Sequence, residues 1–333
     1  MNSAAAGWLQ VALLVAALAA CYVPLGNYIA RIFTAKEHWR VERGIYKLCG
    51  IDSEADMRWS VYVRSMLAFS FVSVLFVYLI ERTQHWLFWS IGMANVTPDT
   101  AWNTAVSFTT NTNWQNYAGE ATMGYLTQMA GLMVQQFMSA AVGLVVAIAL
   151  IRGFTRSKTD RLGNFWVDLT RCVLRLLLPL AVVGALVLVA GGAIENLASY
   201  HTITTLAGAH QTIPGGTVAS QEVIKDMGNN GGGWFNVNSA HPFENPNPFT
   251  NIFEIFLLLL IPFATPRAFG KMVGDNKQGY ALVAAMVIIW AAAVGGISFF
   301  EMHMGTAGIA PQLAHGAAEG TETRFGTPGC SLF

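Results

Sequence analysis

Ionisable side chains are scarce in this chain. Asp, Glu, Lys and Arg make up 11% of its 333 residues, against roughly 25% in a soluble domain. That shortage excludes an ordinary water-soluble fold and places the chain in the membrane class. Basic and acidic residues balance to a net charge of zero, which leaves no electrostatic footprint for nucleic acid. Cysteine is equally sparse. Cys21, Cys49, Cys172 and Cys330 have neither the close pairing of a zinc site nor the framework of a disulfide-stapled domain. No Gly-x-x-x-x-Gly-Lys loop is present, so ATP is not bound by that route. A membrane haem enzyme needs histidines facing each other in mid-span, but His38, His85, His201, His210, His241, His303 and His315 all fall outside the centres of the apolar runs. No nucleophile, base and orienting group announce themselves. The reading is a non-catalytic membrane protein without a cofactor.

What the chain has in quantity is apolar length, with 54% hydrophobic residues. Runs long enough to cross a bilayer, which takes about 20 residues, fall at Trp8–Ile29, Val61–Ile80, Met123–Ile151, Val173–Ile194 and Tyr280–Phe300. A further run, Ile252–Thr265, contains Pro262 and extends through Pro266 towards Phe269, which predicts a broken helix. Six spans result. Leu18-Ala19-Ala20-Cys21 resembles a lipoprotein processing box, but no basic residue precedes Trp8, so no cleavage is expected there.

Basic residues divide unevenly between the two sets of loops. Arg31 to Arg64, Arg152 to Arg175, and Arg267 to Lys277 hold sixteen; the other set has only Arg82, Lys225 and Arg324. The positive-inside rule then puts the N-terminus outside the cytoplasm, together with two polar stretches.

Those stretches are Ser107-Phe108-Thr109-Thr110-Asn111-Thr112-Asn113-Trp114-Gln115-Asn116 and Asp226-Met227-Gly228-Asn229-Asn230-Gly231-Gly232-Gly233-Trp234-Phe235-Asn236. Each follows a short amphipathic segment. Pro98–Phe108 has Thr97 or Asp99 as its N-cap; Ser220–Met227 starts from Ser220, with Glu222 in its first turn. Both units therefore read as span, outer half-helix, polar extended strand, span. A half-helix ending in mid-membrane aims its partly negative C-terminus inward, which favours a cation. Carbonyls of the strand that follows replace the hydration shell of K⁺. The glycines supply backbone freedom, and a site built of dipoles needs no carboxylate at its centre.

With these residues in view, "NTAVSFTTNTNWQNYAGE", "GGGWFNVNSAHPFENPNPFTN" and "ETRFGTPGCSLF" resemble the KdpA family, the potassium-binding subunits of the bacterial Kdp potassium-transporting ATPase. The resemblance runs from end to end of the chain. It implies an all-α integral membrane fold related in plan to potassium channels. One extra N-terminal span precedes span–pore-helix–filter–span units around one potassium filter. It further implies a bacterial inner-membrane location and partners: a P-type ATPase subunit that hydrolyses ATP and small one-span subunits. Carried over by position, the first filter strand is Asn111, Thr112 and Asn113, backed by Gln115. The second is Asn229, Asn230 and Gly231, supported by Gly232 and Gly233; K⁺ would be held by backbone carbonyls. Many relatives have Thr-Asn-Gly in the second strand, so Asn229 is a departure. The implied division is residues 1–60 for the extra span and its loop, 61–152 and 153–279 for two repeats, and 280–333 for the start of a third. Asn229 follows Asn111 by 118 residues, so a third strand at that spacing falls near residue 347, past Phe333. A stand-alone, channel-like potassium transporter of the same superfamily shares this filter chemistry and stays open as the alternative.

Among other residues, Gln128, Gln135 and Gln136 in the third span are read as bonding neighbouring helices rather than lining a path. Glu254 is read as packing or reaching the interface. Glu120, Glu222, Asp226 and Glu244 are read as exposed loop charges, with or without a role in attracting cations to an outer vestibule.

Overall fold

The computed structural model describes residues 3–303 together with Arg324, Phe325 and Leu332. Its elements are nearly all helical. Helix α1 covers Ser3–Thr34, α2 Arg40–Cys49, α3 Trp59–Thr83, α4 Pro98–Thr109, α5 Gly119–Thr122 and α6 Val134–Thr155. They are followed by α7 Phe165–Arg171, α8 Leu178–Gly191, α9 Val218–Met227, α10 Pro248–Val273 and α11 Asn276–His303. π-helical turns at Thr127–Met133 and Cys172–Leu177 run directly into α6 and α8.

Six stretches are long and apolar enough to cross a membrane: Gly7–Thr34, Trp59–Trp86, Thr127–Thr155, Phe165–Gly191, Pro248–Val273 and Asn276–Phe300. They match the six runs read from the sequence. The fifth differs in one respect, because α10 continues unbroken through Pro262 and Pro266. Each proline costs one backbone hydrogen bond, whereas a full break in apolar surroundings would orphan several polar groups. The start of α10 is fixed by its sequence: Asn247 Oδ1 accepts from the N–H groups of Phe249 and Thr250 at 3.0 and 3.2 Å, and Pro248 takes the first helical position. The Asn- and Pro-rich stretch is thus a helix cap. Cys330, His315 and most of the "ETRFGTPGCSLF" segment lie outside the described residues.

The chain packs as two units, one of residues 1–30 with 245–333 and one of residues 31–244. In the first, Leu14 and Leu18 of α1 pack on Ile255 of α10, and the Arg267 Nε–H donates to Asn27 Oδ1 at 3.0 Å.

The second unit holds both polar stretches. Here α3 and α4 pack around Val77, Ala101, Ala105, Phe108, Met123 and Leu132. Elsewhere in this unit the segments after α2 and α6 meet. Strand β1 (Met57–Arg58) pairs antiparallel with β2 (Arg161–Gly163). Two buried ion pairs tie the helices there. Arg152 binds Asp168 through both guanidinium nitrogens, with Nη2–Oδ1 at 2.9 Å, and Tyr62 donates to the same carboxylate at 3.0 Å. Arg175 pairs with Glu42 and donates to the Glu37 carbonyl at 2.9 Å. A hairpin unforeseen in the sequence, β3 (His201–Thr204) with β4 (His210–Ile213), stands exposed between α8 and α9.

Candidate ion-binding site

Both polar stretches follow directly on a short helix, as the repeat predicts; the first helix starts after Thr97, one of its two expected N-caps, whereas the second starts earlier than expected. Thr97 stands at the N-cap of α4 without a side-chain bond, Pro98 occupies the first helical position and Asp99 lies in the first turn. Helix α9 begins at Val218, so Ser220 is inside it and Glu222 is past its first turn. Its exposed N–H groups are met from outside: the Glu195 carboxylate accepts from the Ser220 N–H at 2.9 Å and from the Ser220 hydroxyl at 2.8 Å.

Two backbone bonds recur at the exits from the two helices. Thr110 N–H donates to Val106 O at 3.0 Å, and Gly228 N–H to Ile224 O at 2.9 Å. Two residues on, Thr112 N–H donates to Ser107 O at 3.1 Å, and Asn230 N–H to Lys225 O at 3.0 Å. Backbone handedness repeats as well. φ is −87° at Thr110, +65° at Asn111 and +53° at Asn113. In the second copy it is −84° at Gly228, +53° at Asn229 and +96° at Gly231. Neither stretch is therefore the extended strand expected. Alternation of right- and left-handed residues turns successive N–H groups to one side of the chain and so sets the carbonyls on the other. Asparagine is the side chain that best tolerates this, after glycine, which gives Asn111, Asn113 and Asn229 a backbone reason as well as a polar one.

Side chains brace the two turns against each other. Asn111 Nδ2 donates to Gly228 O at 3.2 Å and Asn229 O at 3.4 Å. Gln115 reads the backbone of Gly233 in both directions, donating to its carbonyl at 3.3 Å and accepting from its N–H at 3.1 Å. The span after the first stretch contributes Gln136, whose amide donates to Gly232 O, and Gln128, which donates to Trp234 O at 3.4 Å. Gln128, Gln135 and Gln136 are all buried, and the first and third bond the backbone of the second polar stretch, where bonds to neighbouring helices were expected. Gly232 sits where a Cβ would fall 2.8 Å from Asn113 O; only glycine lets the two backbones approach so closely.

Thr112, Asn113, Gln115, Gly231, Asn236 and Asn238 share an open cleft of about 420 Å³ with Trp114. Thr112, Asn229 and Gly231 are exposed, whereas Asn113, Asn230, Gly232 and Gly233 are buried. The Asn113 amide has no hydrogen-bond partner among the described residues. The two tryptophans of the repeat do different work: Trp114 is 57% exposed, and Trp234 is buried beside Tyr125.

The expected vestibule of exposed acids is corrected by the structure. Glu222, Asp226 and Glu244 are buried together with Lys225. Lys225 Nζ donates to Glu222 Oε1 at 2.5 Å and to Asn238 Oδ1 at 3.0 Å. Glu244 accepts from the N–H groups of Phe235 and Ser239 at 3.1 and 2.9 Å. Burial, reinforced by the nearby Glu222 carboxylate, pushes the Glu244 carboxyl up to about 8; burial likewise raises Asp226. A lysine amid acids makes a buried, ion-paired knot where a loop of free charges would be hydrated, and the signal missed is that Lys225 lies within four residues of two of them. Of the four acids only Glu120 stays partly exposed, accepting from the Asn236 N–H at 3.0 Å. Glu254 is wholly buried, in keeping with the packing reading.

A family profile, "KdpA: Potassium-transporting ATPase A subunit", matches residues 12–333. The chain belongs to the KdpA family. Among its relatives, proteins described as "Potassium-transporting ATPase potassium-binding subunit" are 53% identical in Streptomyces griseus, 55% in Streptomyces coelicolor and 52% in Mycobacterium avium. Each match covers 100% of this chain and 60% of the relative, so the chain spans about three fifths of the length of these KdpA relatives.

Proposed function

We propose that this chain contributes two strands of a potassium-selective filter to the potassium-binding subunit of an ATP-driven uptake pump. The observation that carries the reading is the repeated backbone of residues 110–113 and 228–231, alternating in handedness behind two helix C-termini. Carbonyls of Asn111, Thr112, Asn113, Asn229, Asn230 and Gly231 coordinate K⁺, while Gln115, Gly232 and Gly233 keep the strands in place. Two strands give part of a coordination shell, and further repeats of the longer protein complete it. The polar stretches face outward and the basic loops inward, in a bacterial inner membrane. The subunit needs no cofactor and no catalytic group. A P-type ATPase subunit, accompanied by small one-span subunits, hydrolyses ATP. The names of the relatives favour this over a stand-alone transporter.

Affinity purification of the tagged full-length protein tests the assembly. ATPase activity that co-purifies and is stimulated by K⁺ is the expected result. Selective potassium uptake by the protein without any ATPase partner would overturn the pump assignment in favour of the stand-alone reading.

A further inference from the structure

The bracing of the two strands converges on a residue with no part in the motifs. Ser139 lies on α6, buried, one turn beyond Gln136. Its hydroxyl donates to Asn111 Oδ1 at 2.8 Å, is 3.1 Å from the Gln136 carbonyl, and accepts from Asn230 Nδ2 at 3.3 Å. Asn230 Nδ2 also reaches Asn111 Oδ1 and, at 3.2 Å, the Gln136 carbonyl. One hydroxyl thus touches the left-handed Asn111 of the first strand and the central Asn230 of the second, and ties both to a single helix.

The consequence follows from the amide of Asn111. Its oxygen is held by Ser139 and Asn230, which leaves its nitrogen to donate to Gly228 O and Asn229 O across the gap. Without the Ser139 hydroxyl the amide loses a donor that distinguishes its two ends. Its hold on the second strand then weakens, although nothing that lines the cleft has changed.

We propose that Ser139 is a positioning residue that fixes the spacing of the two strands, and with it the affinity and selectivity for K⁺. The inference rests on the filter reading above. A serine on a spanning helix would otherwise be taken as a hydroxyl bonded back to its own helix, and the 3.1 Å distance to Gln136 O shows that option present; the bonds to Asn111 and Asn230 are what go beyond it.

The test uses the full-length protein assembled in its pump. Ser139→Ala removes the hydroxyl; Ser139→Cys keeps nearly the same shape but is a poor hydrogen-bonding group. Both are expected to raise KM for K⁺ roughly three- to tenfold, the worth of about one buried hydrogen bond. Both should also admit Rb⁺ or Na⁺ more readily, with kcat and yield of complex near wild type. A Cys variant that restores wild-type affinity while Ala does not would show packing alone and overturn the proposal. So would unchanged KM and selectivity in both. Gly231→Ala and Asn111→Asp are measured alongside. If these too leave K⁺ affinity untouched, the filter assignment itself has failed; if they alter it and the Ser139 variants do not, only the role of Ser139 falls.

Discussion

Gly232→Ala puts a single methyl group where the two backbones meet. The new Cβ would lie 2.8 Å from Asn113 O, 2.9 Å from Asn113 Cβ and 2.9 Å from Phe108 Cζ. None of these is the end of a flexible chain: two belong to the facing strand, and Phe108 is a fully buried ring. The strands must separate by several tenths of an ångström, and overpacking of this kind costs about 1–3 kcal/mol. Because the atom in the way is one of the carbonyls assigned to K⁺, much of that cost falls on the ion. At about 1.4 kcal/mol per tenfold, a KM for K⁺ raised roughly tenfold is expected, with weaker rejection of Na⁺. Gly231→Ala is the informative contrast. No atom lies within 4 Å of its added Cβ, but its φ of +96° is hostile to any side chain, a backbone cost of about 1–2 kcal/mol without a clash. Potassium-dependent ATPase activity of the complex, titrated with K⁺ and with Na⁺, is the assay. Wild-type affinity and selectivity in Gly232→Ala would refute the close approach of the two strands.

Three further outcomes follow from the second unit. Arg152→Ala leaves the buried Asp168 carboxylate without its bidentate partner, so thermal stability in detergent should fall by the equivalent of about 3–5 kcal/mol; an unchanged melting temperature would contradict the burial of that pair. Glu244 takes up its proton more readily when folded than when unfolded. Its contribution to stability is therefore greatest below the ordinary carboxylate range and lost as pH rises towards about 8. The melting temperature should decline across that window, and Glu244→Gln should flatten the decline. In a variant without its native cysteines, Lys158→Cys should resist an impermeant thiol reagent added outside intact cells; labelling there would invert the assigned orientation.

The spans were legible because twenty apolar residues in a row have one common use. The repeat was legible because asparagine and glycine recur at the positions that need a left-handed backbone. What could not be read was anything assembled over distance. The cap of α9 comes from Glu195, twenty-five residues before Ser220, so local sequence alone predicts a start two residues late. The Glu222–Lys225–Glu244 knot brings together a helix and a loop, and each residue alone looks like a surface charge. Arg152 and Arg175 counted simply as basic loop residues, although both are buried partners of carboxylates. The continuity of α10 through two prolines reflects its apolar surroundings, which a local propensity does not contain.

The central claim is that the backbone at residues 110–113 and 228–231 binds K⁺ through dipoles and not through charge. Asn111→Asp tests it most directly, since it keeps the size of the side chain while adding a carboxylate beside the site. Equilibrium binding of K⁺, Rb⁺, Na⁺ and Ca²⁺ to the full-length wild-type and variant complexes is the measurement. A wild type that prefers K⁺ and Rb⁺ over Na⁺ and ignores Ca²⁺, with a variant that loses this discrimination, is the predicted result. Identical cation preferences in the two proteins would contradict it.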